Sequence, residues 1–142
     1  MLTQKMRDEW VTLGKILAGK NTVKFEDPNL RNLVAEVSTK KITSYGQGKK
    51  TIVIIDCGEK KNMVRRLLAR GLKVVVVPFN TDVTKLDFSF YGVLISNGPG
   101  DPKKVTETIK NVKKIIKKNI QIFGIWLEKK ILTLALGGDS YN

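Results

Sequence analysis

The sequence predicts an α/β fold with a doubly wound parallel sheet, and three observations support this prediction. From Lys49 onward, short apolar runs alternate with amphipathic segments. The apolar runs are continuous and rich in Val and Ile, which is typical of parallel strands buried on both faces. The segments between them are long enough for right-handed crossovers, so we expect four strands and three crossovers in one sheet.

Residues 1–48 precede this pattern and follow a different one. Apolar side chains at helical spacing predict a helix within residues 2–18: Leu2, Met6, Trp10, Leu13 and Leu17. The stretch Gly19–Gly48 is polar and interrupted by turn residues, which indicates a connector. Its alternating segment Leu33–Val37 favours at most one short strand.

The first two predicted strands flank a predicted helix. Thr51–Asp56 is the first strand, and Lys73–Val77, which is closed by Pro78, is the second. Between them, Asn62–Arg70 has the apolar spacing of a helix. Gly71 is expected just after that helix, in the left-handed conformation that ends many helices.

The third predicted strand, Gly92–Ser96, leads into a rigid loop, Asn97–Pro102. Asp101 is expected to cap the next helix, and Pro102 to occupy its first position. That helix should bury one apolar stripe, formed by Val105, Ile109, Val112 and Ile116.

The fourth predicted strand, Ile122–Ile125, turns at once into a second amphipathic segment, Glu128–Leu136. A strand, a tight turn and a helix in this order form the unit on which many α/β enzymes mount a nucleophile. The residue at the tip of this turn is Trp126, which is not a nucleophile. The turn and the loop Asn97–Pro102 both follow strand ends, so we expect them at the rim where such sheets bind ligands.

Composition limits the possible classes of function. The chain has no His and a single Cys, Cys57. The commonest general base and metal ligand is therefore missing, and we expect no metal and no cofactor. One Cys is typical of a reducing, cytoplasmic setting, and no apolar run is long enough to predict a membrane span.

The net charge of +13 raises the question of a polyanion partner. The densest basic group falls on the helix after the loop: Lys103, Lys104, Lys110, Lys113, Lys114, Lys117 and Lys118. No Arg cluster or interleaved aromatic residues accompany it, as stacking on single-stranded nucleic acid requires. We interpret it as a solvated face and do not expect nucleic-acid binding. An acidic partner surface or a polyanion is the alternative.

Several motifs appear along the chain in a familiar order. The most specific is Ser96–Pro102 (SNGPGDP), and it is preceded by Ile55–Gly58 and followed by Phe123–Ile125. Asp27–Asn29 and Asn32–Thr39 stand before them. Together these motifs resemble the amidotransferase region of the carbamoyl-phosphate synthetase small subunit, together with the connector that precedes it.

The resemblance implies a domain division and a fold. Residues 1–48 would be the end of an N-terminal domain plus a connector. Residues 49–142 would be the first part of a class-I glutamine amidotransferase-like domain with flavodoxin-like strand order, incomplete at its C-terminus. The expected partner is a synthetase large subunit or a fused synthetase domain, which uses ammonia from glutamine to make carbamoyl phosphate for pyrimidine or arginine synthesis.

The resemblance also predicts that this chain is inactive as a glutaminase. The family uses a Cys-His-Glu triad, and Trp126 stands at the position of the nucleophilic Cys, while the positions of the family's His and Glu lie beyond Asn142. Gly98 and Gly100 match the substrate loop, and Leu127 matches a residue whose backbone N–H serves the oxyanion hole. These three contribute through backbone, so we expect a vestigial site without catalysis.

Three side chains admit a second interpretation. Cys57 could be a displaced nucleophile, but without His we expect a packed thiol. Trp126 could stack on a ligand, although a plug in the vacated pocket or a degenerated position is favoured. Glu128 with Asp101 could form a carboxylate pair, but Asp101 already has a role as a helix cap.

Three functions therefore stay open from the sequence. The first is a catalytically silent part of the synthetase amidotransferase region. The second is a pseudoenzyme that docks on a synthetase partner and regulates it, and the third is polyanion binding. An exposed sheet edge would in addition permit self-association.

Overall fold

The computed structural model describes residues 19, 24–125 and 127–139, and the account that follows is restricted to them. The strands are β1 (Thr43–Tyr45), β2 (Thr51–Asp56), β3 (Lys73–Pro78), β4 (Gly92–Ile95) and β5 (Ile122–Gly124). The helices are α1 (Leu33–Val37), α2 (Lys61–Leu68), α3 (Thr106–Lys117) and α4 (Leu127–Ala135). Short 3₁₀ turns lie at 28–30, 83–85 and 102–104. The predicted helix at 2–18 lies outside the described residues.

The strands form one sheet in the order β1-β3-β2-β4-β5. Strands β2 to β5 are parallel, whereas β1 pairs antiparallel with the outer edge of β3. The chain passes from β2 out to β3 and then returns to β4 on the other side of β2. The point where the strand order reverses therefore lies between β2 and β4. The predicted parallel α/β sheet with flavodoxin-like order is confirmed.

Two apolar clusters cover the two faces of the sheet. On one face, alternate residues of β2, β3 and β4 pack with α1, α3 and α4; Val53, Ile55, Val112, Ile115 and Ile131 are fully buried there. On the other face, Ile54, Val74 and Val76 pack against Val64 of α2. Helices on both faces are the reason that the central strands are apolar throughout.

The prediction of a strand at Leu33–Val37 is wrong. This segment is α1, a short helix that begins after Asn32, whose Oδ1 accepts a hydrogen bond from the Ala35 N–H at 3.1 Å. Val34 is fully buried in the larger core cluster. An alternating pattern over five residues is too short to distinguish the period of a strand from that of a helix. The signal that favours the helix is Asn32, a residue type preferred at the N-cap. The short strand of the connector is β1, at Thr43–Tyr45.

Two helix details refine the predictions. Gly71 has φ +71°, and the N–H groups of Gly71 and Leu72 bond the carbonyls of Leu68 and Leu67, which is the Schellman arrangement expected at that position. In α3 the fully buried residues are Val112, Ile115 and Thr108, while the predicted Ile109 and Ile116 are only partly buried. The buried stripe is therefore rotated by part of a turn from the prediction, and the buried Thr108 hydroxyl is satisfied by donating to the Phe79 carbonyl at 2.9 Å.

Candidate functional site

The carboxyl ends of β2 and β4 are joined by backbone and hydroxyl groups. The Cys57 N–H donates to Ser96 Oγ at 2.9 Å, and Ser96 Oγ donates to the Asn97 carbonyl at 2.9 Å. Across the same junction, Asn97 Nδ2 donates to the Gly58 carbonyl at 3.4 Å. Ser96 is fully buried, so its hydroxyl has a structural role and is not exposed for attack on a substrate.

Gly98 lies directly against the end of β2. A Cβ atom built on Gly98 would stand 2.2 Å from the Cys57 carbonyl oxygen and 3.0 Å from the Cys57 carbonyl carbon. Such distances are shorter than any ordinary contact, so only glycine fits without a backbone shift. The absence of a side chain at this position is thus a packing requirement of the sheet.

Helix α1, in the connector, packs against the loop that follows β4. Gly100, at φ +82°, would place a Cβ 3.4 Å from the Cβ of Leu33 in α1. Gly58, at φ +120°, would place a Cβ 2.9 Å from Val37 and 3.1 Å from Pro99. Helix α1 therefore packs against both the loop after β4 and the turn after β2, so the connector helps to set the position of the loop.

Asp56, the last residue of β2, is a buried anchor for this rim. Its Oδ1 accepts hydrogen bonds from the N–H groups of Gly58 and Glu59 at 2.8 and 2.7 Å, and its Oδ2 accepts one from the Thr39 N–H at 2.7 Å. Three backbone donors hold the carboxylate, as in an N-cap. The bond from Thr39 fastens the connector to the central strand.

Glu59 stands beside this anchor in a less favourable setting. Its Oε2 is buried and has no hydrogen-bond partner among the described residues. Burial raises the pKa of Glu59, the nearby Asp56 carboxylate raises it further, and Lys61 opposes the shift. The three residues line a cavity of 420 Å³ that Pro99 and Val37 close from the side.

The end of the loop is tied to the helix that follows β5. Asp101 Oδ1 accepts a hydrogen bond from the Lys103 N–H at 2.9 Å, so Asp101 is confirmed as a cap, although of the 3₁₀ turn Pro102–Lys104 that precedes α3. That turn contacts α4, and Lys103 Nζ forms an ion pair with Asp139 at 2.8 Å. Because β4 and β5 pair in parallel, the residues that directly follow these two strands lie at the same rim of the sheet, as expected.

Trp126, which the resemblance predicts at the nucleophile position, lies outside the described residues. Leu127 begins α4, and Glu128 follows it in the same helix; their side chains are likewise not described, so the proposed carboxylate pair with Asp101 stays a prediction. Beside this turn is an open cavity of 560 Å³ lined by Phe123, Gly124, Ile125, Lys129 and Lys130. Its described lining contains no thiol, hydroxyl, imidazole or carboxylate.

Cys57 is the chain's only thiol, and it is fully buried in the larger core cluster. A buried thiol at the end of a strand cannot reach the cavity beside the turn, so the expected packing role is confirmed. Within 24–125 and 127–139, no group of three or more Cys, Asp and Glu residues is arranged to hold a metal ion. No helix in the same ranges is long and apolar enough to cross a membrane.

Comparison with known protein families identifies the family to which this sheet and its loops belong. The family model described as glutamine amidotransferase class-I matches residues 53–142. The chain belongs to the class-I glutamine amidotransferases. The matched range begins in β2 and includes the loop after β4 and the residues that follow β5.

Several relatives of this chain are named as carbamoyl-phosphate synthases. The rat protein carbamoyl-phosphate synthase (ammonia), mitochondrial, is 44% identical over 145 residues, which cover 100% of this chain and 10% of the rat protein. The carbamoyl phosphate synthase small chain of Methanopyrus kandleri is 37% identical and covers 100% and 43%. The arginine-specific small chain of Saccharomyces cerevisiae is 37% identical and covers 99% and 36%. The chain thus spans a tenth of the length of the rat relative and less than half of the small chains. The resemblance seen in the sequence is confirmed.

A solved structure supports the fold of this chain. A GMP synthase component from Thermoplasma acidophilum superposes with a TM-score of 0.54 at 24% identity, over 64% of this chain and 47% of the archaeal one. This level of identity shows the fold alone.

The sequence predicted the location of the site at the strand ends, but it did not predict the residues whose hydrogen bonds and packing fix the loop in place. Asp56 and Ser96 carry the junction between β2 and β4, and neither was singled out as a structural group. A usable signal existed for each, since both are polar residues at the end of an apolar run, where strand ends meet. The packing of α1 under the loop had no such signal, because it joins residues more than sixty positions apart.

Proposed function

We propose that this chain is a catalytically silent amidotransferase region of a glutamine-dependent carbamoyl-phosphate synthetase. The observation that carries the proposal is that the loop of the family's site is firmly packed while the side chains that catalysis needs are missing from the sequence. The loop after β4 is seated by Gly98 and Ser96 against the end of β2, whereas Trp126 stands where the family's nucleophile belongs and the sequence contains no His.

Glutamine hydrolysis by this family needs a thiolate to attack the amide and a base to move its proton. Within these 142 residues the sole thiol is buried and there is no imidazole. Backbone donors at Leu127 and the loop would have no covalent intermediate to stabilise. The names of the mammalian relatives, which specify ammonia, agree with an amidotransferase region that does not deliver ammonia from glutamine.

The test is glutamine hydrolysis by the purified chain and by Trp126→Cys. Neither protein should release ammonia from glutamine above the rate without protein, because restoring the thiol does not restore the base. A Gly98→Ala variant controls for contaminating glutaminase, since a contaminant's activity is independent of this loop. Ammonia release by the native chain that disappears in Gly98→Ala would overturn the proposal.

The second candidate is a pseudoenzyme that binds a synthetase and regulates it. The observation that favours it is the packing of α1 and the loop, which keeps the rim ordered without catalysis. Titration of a carbamoyl-phosphate synthetase large subunit with the chain tests it. Co-migration and a change in the ammonia-dependent rate support the regulator, and independent migration with an unchanged rate rejects it.

Three finer points remain proposals. A cytoplasmic location is proposed from the single Cys, although the mammalian relatives are named as mitochondrial. The domain boundary near residue 48 is proposed from the motifs. Self-association through β5, the outermost of the described strands on its side of the sheet, competes with binding to a synthetase, and sedimentation velocity of the chain alone tests it.

A further inference from the structure

The outer face of α3 carries a row of exposed lysines, which we call the lysine stripe: Lys110, Lys113, Lys114 and Lys117. Residues three and four positions apart are neighbours on a helix, so these four side chains share one face. The segment 103–118 contains seven lysines and a single acidic residue, Glu107. Much of the chain's net charge of +13 is therefore concentrated on this short part of the surface.

The lysine stripe disfavours the helix that carries it. Each of its lysines has a like-charged neighbour four residues away, and such pairs destabilise a helix. The helix dipole favours cations in the last turn, which contains Lys114 and Lys117, but it does not favour Lys110 in the middle of α3. The stability of α3 therefore does not explain the stripe.

One member of the stripe already holds a carboxylate. Lys114 Nζ donates a hydrogen bond to Asp82 Oδ2 at 2.7 Å, and Asp82 belongs to the segment that follows β3. This hydrogen bond is the main cause of the low pKa of Asp82, so the lysine favours the charged form of a carboxylate at this place. Among the described residues, no acidic side chain forms a salt bridge with Lys110, Lys113 or Lys117.

A groove of 430 Å³ runs beside the stripe, between α3 and the segment after β3. Its lining consists of the four lysines together with Asn80, Glu107 and Asn111. Asn111 is 6% exposed, and its Nδ2 donates to the Asn80 carbonyl at 2.9 Å, so a buried amide fixes the two walls to each other. Glu107 lies in the first turn of α3, which restricts the positive part of the groove to the later turns.

We infer that the lysine stripe binds an acidic segment of another protein, whose carboxylates pair with Lys110, Lys113 and Lys117. From the first to the last of these lysines the helix rises by about 10 Å, so a linear run of carboxylates fits the stripe better than one compact anion. The described lining of the groove has no Arg and no aromatic ring. Those groups grip phosphates in a fork and stack on bases, so nucleic acid is the less suitable polyanion.

The stripe is separate from the core of the sheet and from the rim that carries the loop after β4. Helix α3 is itself the layer that covers the sheet, so its outer face is not a sheet surface that another helix of the same fold has to cover. The hydrogen bonds described for the loop join it to Cys57 and Gly58. Binding at the stripe goes beyond the proposed function and does not depend on it.

The test measures the binding of three labelled probes to the full chain by fluorescence anisotropy. The first is a peptide of about 8 residues in which Glu alternates with Ser, and its extended length of roughly 26 Å exceeds that of the stripe. The second peptide has Gln in place of every Glu, and the third probe is a single-stranded oligothymidylate of similar net charge. We expect the Glu peptide to bind more tightly than the other two probes and to be weakened by added salt.

A triple variant of the stripe locates the binding. Changing Lys110, Lys113 and Lys117 together to Gln should weaken the Glu peptide by about tenfold, since each exposed charge pair contributes a factor of roughly two to five. The three side chains are exposed, and their removal relieves repulsion along α3. The variant should therefore unfold at the same temperature as the native chain or at a slightly higher one.

A second triple variant is the matched control for net charge. Changing Lys24, Lys41 and Lys49 to Gln removes the same charge from exposed positions outside α3. Salt screens charges that lie farther from the bound peptide, so this variant should weaken the Glu peptide by less than about twofold.

Asp82 provides an independent test, because it competes with the partner for Lys114. Asp82→Asn should tighten the Glu peptide by about threefold, since a fourth ammonium group becomes available. Glu26→Gln removes the same charge from an exposed position outside the stripe and should change the affinity much less.

Four results would overturn the inference. They are absence of binding of the Glu peptide, equal weakening by the two triple variants, equal effects of Asp82→Asn and Glu26→Gln, and tighter binding of oligothymidylate that the stripe variant abolishes. The last result would identify nucleic acid as the ligand of the stripe.

Discussion

Replacing Gly98 by Ala tests whether the loop after β4 is fixed by backbone packing. The added Cβ would lie 2.2 Å from the Cys57 carbonyl oxygen, more than about 1 Å short of an ordinary contact. The nearest atoms are the carbonyl oxygen and carbon of Cys57, the residue directly after the central strand β2, and backbone atoms cannot rotate away as a flexible side chain can. Gly71→Ala is the matched control, because Gly71 has φ +71° and no atom within 4 Å of an added Cβ.

The expected sizes follow from these two geometries. Overpacking against a rigid neighbour costs about 3 kcal/mol, and a shift of the loop would also weaken the bond from the Cys57 N–H to Ser96 Oγ, which is worth about 1 kcal/mol. Gly71→Ala meets no steric clash, so its cost is only that of holding alanine in the left-handed conformation, about 1 kcal/mol. We therefore expect a loss of about 4 kcal/mol for the first variant and about 1 kcal/mol for the second.

Thermal and urea unfolding, followed by circular dichroism, separate the two cases. At about 4 °C for each kcal/mol in a domain of this size, Tm should fall by about 16 °C for Gly98→Ala and about 4 °C for Gly71→Ala. Equal losses for the two variants would refute the packing explanation. Gly98 would then be retained for something other than its contact with β2.

Three further predictions concern carboxylates. Asp56→Ala should cost about 3 kcal/mol in urea unfolding, because three partly buried N–H groups lose a charged acceptor, and Asp56→Asn should cost less; equal losses would contradict this account. Asp82 has its pKa lowered from 3.8 to about 2, chiefly by its hydrogen bond from Lys114 and also by Thr84, so its contribution is present above pH 3.8 and is lost as pH falls towards 2. Because the pair is partly exposed, Asp82→Asn should cost at most about 1 kcal/mol at pH 6 and nothing near pH 2; a loss that does not vary with pH would oppose it. Glu59 has a raised pKa, so the folded state binds its proton more tightly than the unfolded state, and Glu59→Gln should raise Tm at pH 7 and leave it unchanged below pH 4; a lower Tm at pH 7 would contradict the burial argument.

The sheet was predictable from sequence because each central strand is apolar on both faces. A run such as Thr51–Asp56 has no other stable location than between two helical layers, and the crossovers then fix the parallel direction. The boundaries of β2, β3 and β4 accordingly agree with the expectation to within one residue.

The connector was less predictable because its structure depends on distant partners. Residues 33–37 form a helix whose Val34 is buried in the core, and Thr43–Tyr45 becomes a strand although its side chains are exposed. Strand β1 exists because the outer edge of β3 offers unpaired backbone groups, which a local pattern does not report.

The motifs of the candidate site contain two kinds of residue, namely residues that fix the structure of the rim and a residue position that serves the chemical step. Gly98 and Gly58 hold the rim through close contacts that leave no room for a side chain, and Asp56 holds it through its carboxylate, so each stabilises the fold whether or not a substrate is bound. Trp126, at the proposed position of the family's nucleophile, lies outside the described residues, and the hydrogen bonds described for the loop join it to Cys57 and Gly58. A chain can therefore lose the nucleophile without any loss of the SNGPG frame. It follows that the motif identifies the fold and the location of the site, whereas activity has to be judged from the thiol and its base.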